Sequence, residues 1–178
     1  MRLIILLRGI NVGSTRSLPM KELVDILRSF GLEDVATYIQ SGNVVARSSG
    51  EVAPDLTERI AVAIEERKGF KPQVLVLSAD QLKRAIASNP FPEAEADPRR
   101  LHVFFLASRP AAPDLESLEK IKGPTERFEL TDAGFYLHTP DGFGTSKLAG
   151  KAERYLGVPA TARNWRTVMK LAEMAGDL

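Results

Sequence analysis

The order of the predicted elements indicates an α+β fold made of two packed ferredoxin-like halves, each a split β-α-β arrangement with an antiparallel sheet. Three observations predict it. Residues 2–8 are apolar on both faces, as in a central strand, amphipathic helical segments follow, and hairpin patterns occur at 35–47 and 127–139. We expect the first half over residues 1–78 and the second, with C-terminal helices, over residues 79–178, either as two units or as one compact domain.

The first half shows the whole β-α-β-β-α-β order. The stretch LPMKELVDILRSFG (18–31) places apolar residues at helical spacing, with proline near its start and glycine at its exit. Two β-prone runs flank Ser41-Gly42 and predict a hairpin with a two-residue turn. A second helix is expected over about 54–68, and PQVLVLS (72–78) is the last strand of this half.

The second half repeats this order more loosely. Ser78 and Gln81 form a capping-box pattern before a short helix, and the proline-rich, acidic segment 88–100 predicts an irregular loop. The later predictions are a strand at 101–108, a short helix over about 113–120, the hairpin 127–139 with Asp132 and Gly134 as turn residues, and helices near 146–156 and 165–175.

Composition excludes several classes of function. The chain has 178 residues, is 44% hydrophobic and has a net charge of +1, so no overall charge attracts nucleic acid or a membrane. It contains no cysteine, which excludes disulfides, iron–sulfur clusters and a cysteine nucleophile. His102 and His138 lack metal-ligand spacing, so no metal site and no cofactor are predicted. The apolar run LIILL is too short for a signal peptide or a membrane span, and a cytoplasmic location is expected.

The first hairpin is predicted to carry a polar face. With a two-residue turn, Gln40 faces Asn43 and Tyr38 faces Val45. Tyr38, Gln40 and Asn43 then form a cluster of donors and acceptors on one face. The simpler interpretation is a hairpin tip whose side chains are solvated or hold the turn.

RGINVG (8–13) places polar and flexible residues directly after a buried strand. Arg8 offers a planar fork that suits phosphate or carboxylate, and Gly9 and Gly13 allow left-handed backbone or a close backbone approach to a ligand. Backbone amides in such turns can form an anion nest. The simpler interpretation is a strand-exit loop whose arginine pairs with a carboxylate, since the loop lacks both P-loop and dinucleotide spacing.

Two further stretches place cations beside helix starts. Thr145 or Ser146 can cap a helix whose first turn contains Lys147, and Asn164 can cap the last helix, directly after Arg163. An anion at such a terminus would meet free N–H groups and the cation together. Alternatively, the lysine points into water. Between residues 147 and 170 there are six cations and one acid. The cations are Lys147, Lys151, Arg154, Arg163, Arg166 and Lys170.

Taken together, RGINVG, PMKEL, TYIQSGNVV, GTSKL and TARNWRTVMKL resemble the bacterial family known as domain of unknown function 1697. The resemblance runs from Arg8 to Leu171. The family more often has a double glycine and a lysine or asparagine where this chain has Gly13-Ser14-Thr15-Arg16. The resemblance implies two ferredoxin-like halves, and no activity comes with it. It implies these site candidates: Arg8, Asn11, Gly13, Tyr38, Gln40, Ser41, Gly42, Asn43, Ser146, Lys147, Arg163, Asn164 and Trp165.

The favoured function is binding of a small anionic ligand, such as a nucleotide or phosphate ester. Arg8, Lys147 and Arg163 would supply charge, while Gln40 and Asn43 would fix orientation. A competing function is a hydrolase of phosphate or acyl phosphate bonds that uses Arg8 and Asn43, by analogy of fold with acylphosphatases.

Two more candidate functions involve macromolecules. Nucleic acid could bind the C-terminal basic face, but base stacking on the central strands is disfavoured because LIILL and NVVAR contain no aromatic residue. A protein-interaction module is the second of these functions. Whether the chain catalyses a reaction stays open, as does its oligomeric state.

Overall fold

The computed structural model describes residues 1–176. The described chain divides into two compact units, one formed by Met1–Lys83 with residues 170–176, the other by Arg84–Met169.

The first sheet and its helices come from the N-terminal part of the chain. Their bounds are β1 (Arg2–Arg8), α1 (Met20–Ser29), β2 (Leu32–Tyr38), β3 (Asn43–Ser48), α2 (Leu56–Lys68) and β4 (Gln73–Ser78). A connecting helix follows, α3 (Ala79–Ala87). The second set is β5 (Leu101–Leu106), α4 (Leu115–Ile121), β6 (Arg127–Thr131), β7 (Gly134–His138), α5 (Lys147–Leu156), β8 (Ala160–Asn164) and α6 (Trp165–Ala175).

Both sheets have the same topology. The first has the strand order β2-β3-β1-β4 and the second the order β6-β7-β5-β8, and every neighbouring pair is antiparallel. With a helix after the first and third strand of each set, this is the ferredoxin-like arrangement. The predicted fold class, α+β with two ferredoxin-like halves, is confirmed.

The central strand β1 organises the first half. Leu3, Ile5 and Leu7 pack into a core with side chains of α1 and α2, such as Leu23 and Ile60. Residues on its opposite face, such as Ile4 and Leu6, are also fully buried. The aliphatic run of β1 is thus buried on both faces between two hydrogen-bonded neighbours, as the sequence predicted.

The first hairpin differs from its prediction. Tyr38 pairs with Asn43, so its loop contains four residues, Ile39 to Gly42, and not two. Gln40 lies in this turn and does not face Asn43. The physical reason is a close approach to β1: the N–H of Leu7 donates to the carbonyl of Gly42 at 2.8 Å, which fixes the start of β3. Tyr38 and Asn43 still share one face, because they are direct cross-strand partners.

The second half contains a strand that was not predicted. Residues 160–164 form β8, which pairs antiparallel with β5 and runs directly into α6. It is a five-residue edge strand with polar residues at its end, so it lacks the apolar alternation that marks longer strands. The predicted loop 88–100 contains a 3-10 helix, Pro92–Ala96.

Local predictions at the helix starts are confirmed. Ser78 and Gln81 form a reciprocal capping box: the Ser78 N–H donates to Gln81 Oε1 at 2.8 Å and the Gln81 N–H to Ser78 Oγ at 3.1 Å.

Within residues 1–176, none of the helices has the length and apolarity needed to cross a membrane.

The close approach at Gly42 can be tested by substitution. An added Cβ at Gly42 would lie 2.6 Å from Leu7 Cβ, whereas Gly31 has a similar φ (+78° against +74°) and open space around it. We expect Gly31→Ala to lose about 1–2 kcal/mol of unfolding free energy from the left-handed backbone alone. Gly42→Ala should lose a further 1–3 kcal/mol, roughly, from overpacking. Equal losses in urea unfolding would show that the approach to β1 is not tight.

Candidate functional site

The loop between β1 and α1 has a defined path. The N–H of Asn11 donates to the carbonyl of Arg16 at 3.0 Å, and Val12 forms an isolated bridge with Thr15. Asn11 and Arg16 have positive φ, as do the glycines of the loop, Gly9 and Gly13. These left-handed residues, together with the cross-loop bond, turn the chain back on itself. The predicted backbone flexibility of this loop is thus used for tight turning.

The side chain of Asn11 joins this loop to the tip of the first hairpin. Its Nδ2 donates to the carbonyls of Leu18 (2.9 Å) and Gln40 (2.8 Å), and its Oδ1 accepts from the Leu18 N–H at 2.7 Å. Both amide hydrogens and the oxygen are therefore engaged by backbone. Asn11, a predicted ligand residue, has a structural role, and it places two loops side by side.

Asn43 also holds a turn. It is fully buried, and its Nδ2 donates to the carbonyl of Tyr38 at 3.2 Å and to Ser41 Oγ at 2.8 Å. Its amide hydrogens are consequently committed within the hairpin. Of the predicted polar cluster, Tyr38 is half-buried, while Gln40 is exposed in the turn.

Arg8 lies at the end of β1 on the sheet face that carries Tyr38 and Asn43. Asn43 is the partner of Leu6, and Arg8 lies two residues further along the same strand face. Its side chain is exposed. The structure thus brings the predicted residues of the first half to one end of one sheet.

Arg16 is a functional candidate that sequence reasoning missed. One guanidinium nitrogen, Nη1, lies 3.0 Å from where a Cβ on Gly9 would be, so the guanidinium covers the backbone next to Arg8. Arg16 is exposed, and within residues 1–176 its side chain forms neither an ion pair nor a hydrogen bond. The sequence feature that could have identified Arg16 is the local charge. Residues 1–21 contain four cations and no acid, and residues 35–46 contain no acid either.

We define the two-loop site as residues 8–17 together with residues 39–42. Besides its cations, it exposes two aliphatic side chains, Val12 (67% exposed) and Ile39 (55% exposed). Ile39 has φ +51°, a backbone conformation that costs a non-glycine residue about 1–2 kcal/mol. Strain of this kind persists where the surrounding structure imposes it, and it concentrates at functional sites.

Two of the ligand-binding residues predicted in the second half form hydrogen bonds within that half. Ser146 Oγ accepts from the Ala149 N–H at 3.0 Å and Asn164 Oδ1 from the Thr167 N–H at 2.9 Å, so both cap helices as predicted. Lys147 is exposed in the first turn of α5.

Arg163 and Trp165 flank the start of α6. Nη1 of Arg163 donates to the carbonyl of Ala162 at 2.9 Å, and burial lowers the pKa of its guanidinium to about 10. Trp165 is buried, as expected for a core residue.

His102 is a buried titratable residue of the second half. Its ring stacks on Phe143 with centroids 3.8 Å apart, and burial lowers its pKa to about 4. Its Nδ1 has no hydrogen-bond partner in the described part of the chain. The same part contains no group of three or more His, Cys, Asp or Glu residues placed to hold a metal ion.

The tandem sheets define a two-half ferredoxin-like α+β protein. The chain belongs to the family described as "Protein of unknown function (DUF1697)", whose model matches residues 1–136. The structure of conserved bacterial protein SP0830 from Streptococcus pneumoniae is similar over 98% of both chains, with a TM-score of 0.71 and 24% sequence identity. At that identity the likeness shows the fold alone. A search of curated proteins gave no significant match.

The structural role of Asn11 predicts a stability effect. Asn11→Asp keeps the acceptor for the Leu18 N–H but turns a carboxylate oxygen toward two carbonyls that lose their donor. We expect a loss of about 1–3 kcal/mol in unfolding free energy by urea denaturation. Gln40→Ala is the matched control, because only the backbone carbonyl of Gln40 takes part, and it should change stability by less than about 0.5 kcal/mol. Similar values for the two variants would contradict the role given to Asn11.

Burial of His102 predicts a pH dependence. The folded-state pKa of about 4 lies below the ordinary 6.5, so the unfolded chain binds more protons between these values. Stability should therefore fall as the pH is lowered from 6.5 to 4, by about 3 kcal/mol from this residue. His102→Phe keeps a ring against Phe143 and should remove that part of the slope in urea unfolding at several pH values. Parallel curves for the two proteins would refute the assignment.

Proposed function

We propose that this protein binds a small anionic ligand, with phosphate as the favoured group, at the two-loop site. The observation that carries the proposal is the exposed guanidinium of Arg16, which lies over Gly9 beside Arg8 and has no acidic partner in residues 1–176. Guanidinium groups match phosphate and carboxylate oxygens with paired N–H donors. Two such groups in one loop suit one anion.

The charges around Arg16 favour binding of an external anion over pairing with an acidic residue of the chain. No acidic residue occurs in either loop, and the first acid that follows along the chain, Glu22, is paired with Lys68 at 3.1 Å. An anion that enters the site therefore meets the positive charge of Arg16, which no acidic residue of residues 1–176 pairs with. The hydrogen bonds of Asn11 hold both loops in place before a ligand binds. Binding therefore loses less conformational entropy of the loops.

The backbone leaves room for a ligand. Gly13 at the loop tip is exposed, and no atom lies within 4 Å of where its Cβ would be. A ligand that contacts Arg16 can thus approach the main chain of the loop closely.

The competing functions receive less support from the same residues. Asn43, the residue assigned to orient a water in a hydrolase, is fully buried and donates both amide hydrogens within its hairpin. Base stacking would need aromatic residues on β1 and β3, and those strands carry none. Binding without catalysis is accordingly the proposal, and a cytoplasmic location remains a prediction from the sequence.

Calorimetric titration tests the proposal directly. Inorganic phosphate and a nucleoside monophosphate are titrated into the protein and into Arg16→Gln. Loss of a charge-assisted hydrogen bond, worth about 1.5–3 kcal/mol, should weaken binding by about tenfold to a hundredfold. Arg28→Gln, which removes an exposed arginine from α1, is the matched control and should bind like the parent. Absence of binding by every anion, or equal weakening in the two variants, would refute the proposal.

A further inference from the structure

Among the large apolar side chains of residues 1–176, the two most exposed after Met1 both belong to the two-loop site. Val12 and Ile39 are 67% and 55% exposed, and the other large exposed apolar residue of the described chain, Leu115, reaches 37% on α4. An isolated exposed aliphatic residue is ordinary on a protein surface. Here two exposed aliphatic residues lie at adjoining loop tips. Arg16, whose guanidinium has no partner in residues 1–176, belongs to the same loops, so the surface is both apolar and cationic.

A hydrogen bond joins the two loop tips that carry these side chains. The amide of Asn11 donates to the carbonyl of Gln40 at 2.8 Å, and Val12 and Ile39 are the chain neighbours of those two residues. Ile39 keeps a left-handed backbone (φ +51°) although it is β-branched. The turn therefore displays an isoleucine where glycine or asparagine would fit the backbone better.

Val12 also lies close to the cation. The Asn11 N–H donates to the Arg16 carbonyl at 3.0 Å, and the Val12–Thr15 bridge is the next pair along the loop. Backbone positions 12 and 16 are therefore one cross-turn pair apart, and the turn that contains Gln40 is bonded to the same loop. A small molecule bound at Arg16 would be within reach of both loop tips.

We propose that the ligand of the two-loop site is an anion with an apolar group attached, a phosphomonoester of an aliphatic or aromatic alcohol, and not phosphate alone. This rests on the proposed function, because Arg8 and Arg16 still bind the anion. Val12 and Ile39 contact the apolar group and set the specificity. Burial of a few methylene groups against them adds affinity that inorganic phosphate cannot gain.

The test is a calorimetric comparison of inorganic phosphate with n-butyl phosphate. The parent protein should bind butyl phosphate more tightly by about tenfold, as expected if half of the chain is buried. In Val12→Thr/Ile39→Asn the ratio of the two affinities should fall to within about twofold. Threonine keeps the shape of valine and asparagine tolerates positive φ, so the variant should fold. Leu115→Ser, which removes an exposed aliphatic residue elsewhere, should keep the full advantage.

Several outcomes would overturn the inference. Equal affinity of the two ligands for the parent protein would do so while leaving the proposed function intact, as would an advantage that survives in the double variant. Binding of neither ligand would refute the proposed function and the inference together. Sedimentation velocity adds a further outcome: a parent protein that self-associates and a double variant that does not would overturn the inference by assigning Val12 and Ile39 to contact with a second copy.

Discussion

The carboxamide of Asn11 is the interaction on which the arrangement of the two-loop site depends. It bonds to Leu18 at the entry to α1 and to Gln40 in the first hairpin, so one side chain sets two loops relative to each other. Ile10 and Leu18, which lie near the two ends of the loop between β1 and α1, are buried in the core and anchor it. The exposed residues between them can therefore hold a fixed arrangement without any secondary structure of their own.

Four of the polar residues predicted to contact a ligand form hydrogen bonds that hold the local backbone. Asn11 and Asn43 hold turns, and Ser146 and Asn164 cap helices. Short amide and hydroxyl side chains reach nearby main-chain groups more easily than distant partners, which explains this outcome. Arg16 differs because its long side chain extends over the loop and forms no polar contact within residues 1–176.

The sequence predicted what local patterns determine. The aliphatic run of β1, the amphipathic spacing of α1 and the capping box at Ser78 led to correct elements. The turn length of the first hairpin was wrong because a tertiary contact between Gly42 and Leu7 decides it. The edge strand β8 is short and polar at its end, so periodicity could not identify it. Arg16 was missed because it became a candidate through the absence of acidic residues in the two loops, and no motif marks it.

We propose that the anion binds the two-loop site and not the start of α5. A titration of the isotopically labelled protein with phosphate, followed residue by residue through backbone amide chemical shifts, distinguishes the two sites. We expect the largest changes at residues 9–17 and 39–42, with small changes around Ser146 and Lys147. Changes concentrated at residues 144–149 would contradict it and assign the anion to the N-terminus of α5.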